Sequence, residues 1–211
     1  IDFSPKRGLN RNQQALGKAI NSIQRVGGTD RFAPIAARLS SLPDVKSIAK
    51  AYARLSPESY GASTLATFKG NQQYTKTLVK RIHSIRSYLD TEGLMPGTRQ
   101  VLPHGVWSDG FITSGDQDAD NSFIGFDYTT GGFGIGFDKL FNDGLLGGIS
   151  YGQSHTNVDI DSDGGDGDID SYLFSLYGSL FSDKYYLDVA LSYGKESYKS
   201  HRNIEFGTLN R

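Results

Sequence analysis

Two periods of hydrophobic patterning divide the chain. Up to about His104 apolar residues recur at the three-and-four spacing of a helix, and from Gly105 onward they alternate with small or polar residues, the two-residue period of a strand. Leu16, Ala19, Ile20 and Ile23 share one helical face, and Gly27-Gly28 supplies a stop. Thr29-Asp30 offers a cap for a short helix around Ile35 and Leu39; Leu42-Pro43-Asp44 opens another carrying Val45, Ile48, Tyr52 and Leu55. Ser56-Pro57-Glu58 joins a hydroxyl cap, a proline at the first helical position and an acid in the first turn, so a long helix is expected to follow. On it Tyr74, Leu78, Ile82, Ile85 and Leu89 form one seam, with Gln72, Gln73, Lys76, Lys80 and Arg86 mostly off it.

In the second half Phe133, Ile135 and Phe137 alternate with Gly134, Gly136 and Asp138, and Tyr185, Leu187, Val189, Leu191 and Tyr193 alternate with Tyr186, Asp188, Ala190, Ser192 and Gly194. Looser runs at 145–152, 172–180 and 106–113 bring the expectation to about five strands. The face opposite the apolar stripe is built of Gly, Ser, Ala and Asp rather than the Lys, Glu and Thr of a wet sandwich face. That fits a barrel turned inside out, apolar toward lipid and polar toward a crowded lumen. Tight turns at 142–144 and 182–184 alternate with long polar stretches, expected as loops, at 114–130 and 155–170. Tyr185 and Tyr193, eight residues apart, would span about 20 Å along the membrane normal at an ordinary strand tilt, the height of an apolar band between aromatic girdles.

Charge follows the same boundary. The net charge of -1 conceals a basic first half and an acidic second half, near +10 and -11 when divided at His104. There is no cysteine, which removes disulfides, thiolate metal sites and cysteine nucleophiles, and no run of about 18 apolar residues that a membrane-crossing helix needs. Ile1 without a leader reads as an internal start.

Val106-Trp107, the run Gly131-Gly132-Phe133-Gly134-Ile135-Gly136-Phe137-Asp138, Leu146-Gly147-Gly148-Ile149-Ser150-Tyr151, Gly167-Asp168-Ile169-Asp170-Ser171-Tyr172, Leu176-Tyr177-Gly178, Tyr186-Leu187-Asp188 and Leu191-Ser192-Tyr193-Gly194 follow one another in an order that resembles the autotransporter β-domain of type V secretion. The stretch around Leu55-Ser56-Pro57-Glu58-Ser59-Tyr60 is similar to the helical region that precedes such barrels. The resemblance implies a bacterial outer-membrane protein that is not an enzyme. It implies an N-terminal passenger, a helix threading the pore, outer-membrane lipid around the barrel, the barrel-assembly machinery as a partner, and no cofactor. It also implies a twelve-stranded barrel, of which about five strands fall within this chain. A chain stopping at Asn210-Arg211 would lack the family's last strand and would not be expected to insert by itself.

The expected organisation is therefore short helices over 1–56, a long amphipathic helix and linker over 57–104, and the first part of an antiparallel transmembrane β-barrel over 105–211. Lys69, Lys76, Lys80, Arg81 and Arg86 form the basic face of the pore helix, attracted to lumen acids Asp138 and Asp188. Phe133, Ile135, Phe137, Tyr185, Leu187, Val189, Leu191 and Tyr193 are expected to face the membrane. Another outer-membrane barrel, porin-like or an adhesin, is one alternative. A soluble module whose basic helices touch anionic lipid or nucleic acid is another, although an attached acidic half would repel phosphate, so no nucleic acid partner is expected.

Two motifs invite chemistry. Gly148-Ile149-Ser150-Tyr151-Gly152 matches a nucleophile elbow but sits in mid-strand with no helix after it. Asp159, Asp161, Asp163 and Asp170 match the positions of a calcium loop, whereas strand flanks and repeated Asp-Gly pairs fit a solvated hairpin better. The four histidines lack ligand spacing.

Overall fold

A computed structural model describes residues 2–5, 7–92, 105–119, 125–142, 144–161, 165–182 and 184–201. Four helices, α1 (Arg11–Arg25), α2 (Ala33–Ser40), α3 (Val45–Leu55) and α4 (Glu58–Glu92), precede five strands: β1 (Gly105–Gln117), β2 (Phe126–Asn142), β3 (Leu145–Ile160), β4 (Gly165–Ser182) and β5 (Tyr185–His201).

The first three helices build a small bundle. Asn10 caps α1 reciprocally with Gln13, and the Asp44 carboxylate accepts the Ser47 amide at 2.7 Å to start α3. Gly27 and Gly28 end α1 with φ of 93° and 65°, a conformation that costs other residues a steric clash. Phe3, Leu9, Ile20, Leu39, Ala51 and Tyr52 form a buried core, and the Tyr52 hydroxyl donates to the Phe3 carbonyl. Burial pushes the Tyr52 phenol up to about 12.

The strands form one antiparallel meander in the order β1-β2-β3-β4-β5. Because side chains alternate, one face of the sheet collects Trp107, Asp138, Leu146, Ser150, Ser154, Thr156, Leu173, Tyr177 and Ser179, all buried, while Ile135, Phe137, Ile149, Phe174, Leu176, Leu187, Leu191 and Tyr193 are exposed on the other. The register aligns Ser108, Ile135, Tyr151, Phe174 and Tyr193 in one outward row, and Val106, Phe137, Ile149, Leu176 and Leu191 in the next. A continuous apolar belt results, facing away from the helices and from the other described residues.

Against the buried face lies α4, 35 residues long or about 50 Å at the helical rise. Its seam of Tyr74, Leu78, Ile82 and Ile85, with Leu89 beside it, packs on Trp107, Leu146, Leu173 and Tyr177. Nearer its start, Ala62 and Ala66 pack on Phe126, Val158, Ile160 and Ile169. The helix therefore enters at the end where β1–β2 and β3–β4 connect and runs toward the end where β2–β3 and β4–β5 connect.

One expectation is corrected. β3 continues to Ile160 and β4 begins at Gly165, so the predicted loop over 155–170 shrinks to the few residues between them; likewise β1 and β2 take residues at both ends of the predicted 114–130 loop. Past the belt the outward side chains turn polar, as in the His155–Asp170 cross-strand pair at 2.8 Å, while inward Thr156, Val158 and Ile169 still pack around α4. Loss of apolar contrast hid strand that continues beyond the belt.

Candidate functional site

The concave face and α4 meet through a ladder of polar contacts that reaches every strand. Arg81 and Arg86 are five residues apart, which places them about 140° apart around the helix, on the two flanks of the Ile82–Ile85 seam. Arg81 turns toward β2. Its Nε and Nη2 donate to Asp138 Oδ2 and Oδ1 at 2.8 and 3.0 Å. The Asp138 carboxylate has no solvent exposure, and it also accepts from the Tyr177 hydroxyl at 2.8 Å and the Gly105 amide at 3.1 Å. Trp107 Nε1 in turn donates to the Tyr177 oxygen at 2.6 Å. A carboxylate stripped of water needs this complete set of donors, since an unpaired buried charge costs several kcal/mol.

Arg86 turns toward β5, where Nη1 and Nη2 donate to Asp188 Oδ1 and Oδ2 at 2.9 and 3.3 Å. Ser179 also donates to this carboxylate at 2.6 Å, and the guanidinium lies 3.9 Å from the centre of the Tyr186 ring. Lys80 reaches Asp109 of β1 at 3.1 Å, but its side chain is 72% exposed, so this pair contributes little. Toward β3, Tyr74 shares a 2.7 Å hydrogen bond with Ser150, and its ring rests where Gly134 and Gly152 leave the wall bare. A Cβ on Gly152 would sit 2.2 Å from Tyr74 Cε2. Higher up, Asn71 donates to Glu196 at 3.1 Å and Thr67 meets Tyr198 at 3.2 Å.

An apolar belt outside, a basic helix clasped by acids inside, and a meander of long strands match what a family comparison finds: the autotransporter β-domain model covers residues 106–211. The chain belongs to the autotransporter family.

Membership makes the five strands part of an incomplete autotransporter barrel and places the protein in the bacterial outer membrane. Among curated relatives, outer membrane protein B of Rickettsia prowazekii (strain Madrid E) is 24% identical over 148 residues, covering 64% of this chain and 9% of that protein. Outer membrane protein A of Rickettsia conorii (strain ATCC VR-613 / Malish 7) is 30% identical over 101 residues, covering 46% of this chain and 5% of that protein. The chain thus spans less than a tenth of the length of either.

Of the residues expected as lumen acids, Asp138 and Asp188 lie on the sheet face that meets α4 and pair with Arg81 and Arg86; of those expected to face the membrane, Phe133, Ile135, Phe137, Tyr185, Leu187, Val189, Leu191 and Tyr193 are exposed on the opposite face. Lys69 and Lys76 differ. Both are exposed on the side of α4 turned away from the five strands, so they are not part of the clasp. The structure does not bring the calcium-like acids together. Asp159 stands opposite Asp166, whereas Asp170 is four residues further along β4, about 13 Å away, and pairs with His155. Asp161 is exposed, Asp163 lies outside the described residues, and no metal-binding cluster occurs among the described residues. Ser150 sits within β3 bonded to the Tyr74 phenol, which gives it a packing partner in place of a catalytic base.

Trp107, Tyr177, Ser179 and the paired glycines complete the site without having been singled out as such. Their only sequence signal is position: each falls on the inward phase of its strand, beside an acid or a bare stretch of wall.

Proposed function

We propose that α4 is the pore-threading segment of this translocator, held in the barrel lumen so that it anchors a passenger N-terminal to it and occludes the channel. The observation that carries the reading is the Arg81–Asp138 clasp, with its fully buried acid and four donors from the helix, β1 and β4. A surface contact would not need such complete desolvation. The helix begins at the end of the longer connections, the cell-exterior end in outer-membrane barrels, so the bundle α1–α3 and any passenger before it lie outside. Assembly of the barrel would rest on the outer-membrane insertion machinery. Catalysis has no place in this reading; any enzymatic activity would belong to the passenger.

Planar-bilayer conductance of the complete protein tests the plug. The wild type should conduct poorly, and Arg81→Ala combined with Arg86→Ala should raise conductance and its noise as the helix loosens. Equal conductance in the two would count against a helix held by these residues.

A further inference from the structure

The helices α1, α2 and α3 carry seven Lys and Arg between them and no Asp or Glu. An ordinary solvated bundle mixes signs. On α1, Arg11, Lys18 and Arg25 stand at seven-residue intervals, so they drift by only about 20° per step and form one exposed stripe with Ser22 between them. Gly17 and Ile20 point into the bundle core, and Asn12, Ala15, Leu16 and Ala19 line an apolar cleft shared with Gln117 and Phe126 at the barrel mouth. The stripe therefore faces away from the core and to the side of the mouth. Lys46 and Lys50, one turn apart on α3, are exposed as well.

We infer that the α1–α3 bundle docks on the phosphate-bearing glycolipid headgroups of the outer leaflet, through Arg11, Lys18 and Arg25 of α1. The inference rests on the reading that the bundle lies outside. The strands rise seven residues beyond Tyr172 on β4, about 18 Å above the belt at ordinary tilt, so the bundle stands at the level of a charged saccharide headgroup rather than of acyl chains. Short tethering through Ser56-Pro57 to α4 keeps it there. A cationic surface held next to an anionic one gains about fivefold in binding for each Lys or Arg that reaches it.

These 211 residues contain no cysteine, so in a complete protein otherwise free of cysteine an introduced thiol is unique. Ser22→Cys in the complete protein is labelled with a fluorophore and reconstituted in sealed vesicles of phosphatidylcholine, with or without bis-phosphorylated lipid A, each containing a lipid-attached quencher. Quenching should be strong with lipid A, should fall to the phosphatidylcholine level in about 0.5 M salt, and should require roughly a hundredfold more lipid A in the Arg11→Gln, Lys18→Gln, Arg25→Gln variant. Equal quenching with and without lipid A, or full quenching in the triple variant, overturns the docking. Salt-sensitive quenching in phosphatidylcholine alone also overturns it and assigns the charges to the barrel's own acidic rim. If an impermeant thiol reagent reaches Ser22→Cys only from the tight-turn side, the outside placement falls, and the proposed function with it.

Discussion

Arg81 on α4 and Asp138 on β2 meet through two hydrogen bonds of 2.8 and 3.0 Å around a carboxylate with no solvent exposure. They lie 57 residues apart in sequence, on elements of different type, so this one pair fixes where along the wall the helix stops. The first prediction follows from removing the acid. Asp138→Ala removes the buried acceptor shared by Arg81, the Tyr177 hydroxyl and the Gly105 amide, and should cost about 3–5 kcal/mol. In the complete protein this would lower the temperature at which the barrel loses its heat-resistant gel mobility, with Asp138→Asn falling between the variant and the wild type.

Steric fit sets a second relationship. Tyr74 occupies the groove left by Gly134 and Gly152, and a methyl on Gly152 has no space beside the ring. Gly152→Ala should destabilise the seated helix by about 1–3 kcal/mol, and adding Tyr74→Ala should recover part of that loss. If Gly152→Ala is neutral in the same thermal assay, the ring does not rest there.

Lipid contact predicts an asymmetry along β strands. Leu176 lies in the middle of the outward belt, so Leu176→Arg should cost about 2–4 kcal/mol in a bilayer. Thr129 is outward and exposed but beyond the belt, and Thr129→Arg should stay within about 0.5 kcal/mol. Equal penalties in refolding titrations into vesicles would contradict the placement of the belt.

The bundle has its own pH dependence. The Ser47 amide bonded to the Asp44 carboxylate holds that acid below the usual carboxylate range. A depressed folded value means the cap is fully effective above the unfolded value near 3.9 and is lost as pH falls through the lower folded value. Amide-exchange protection at Ser47 and Ile48 should thus hold at about pH 5 and decline toward about pH 2, whereas Asp44→Ala should flatten the profile. A wild-type profile that stays flat over this range would remove Asp44 as the cap.

Much of this arrangement is legible in the sequence, for identifiable reasons. The seam from Tyr74 to Leu89 and the alternation in β2 and β5 are strong periodic signals because each is buried or lipid-exposed on one side only. The inward phase of Asp138 and Asp188 follows from their neighbours in the alternation. Strand length is different: His155, Asn157 and Asp168 are polar on their outward side because they have risen past the belt, which removes the contrast that marks a strand. The split of the basic face also escapes a one-dimensional reading. Among the described residues Arg81 and Arg86 find acids and Lys69 and Lys76 do not, because only the fold decides which flank of α4 meets the five strands.

Whether α4 lies inside the barrel is tested most directly by a covalent bond to the wall. A Cβ on Gly70 would stand 3.1 Å from Thr130 Cγ2, a separation that lets cysteines at the two positions reach disulfide geometry. In the complete protein, inserted in an outer membrane and otherwise free of cysteine, Gly70→Cys with Thr130→Cys should form a disulfide on mild oxidation and shift on a non-reducing gel, while Gly70→Cys with the outward Ile112→Cys should not. Failure of the first pair to cross-link in a heat-modifiable, inserted barrel would contradict the threaded helix.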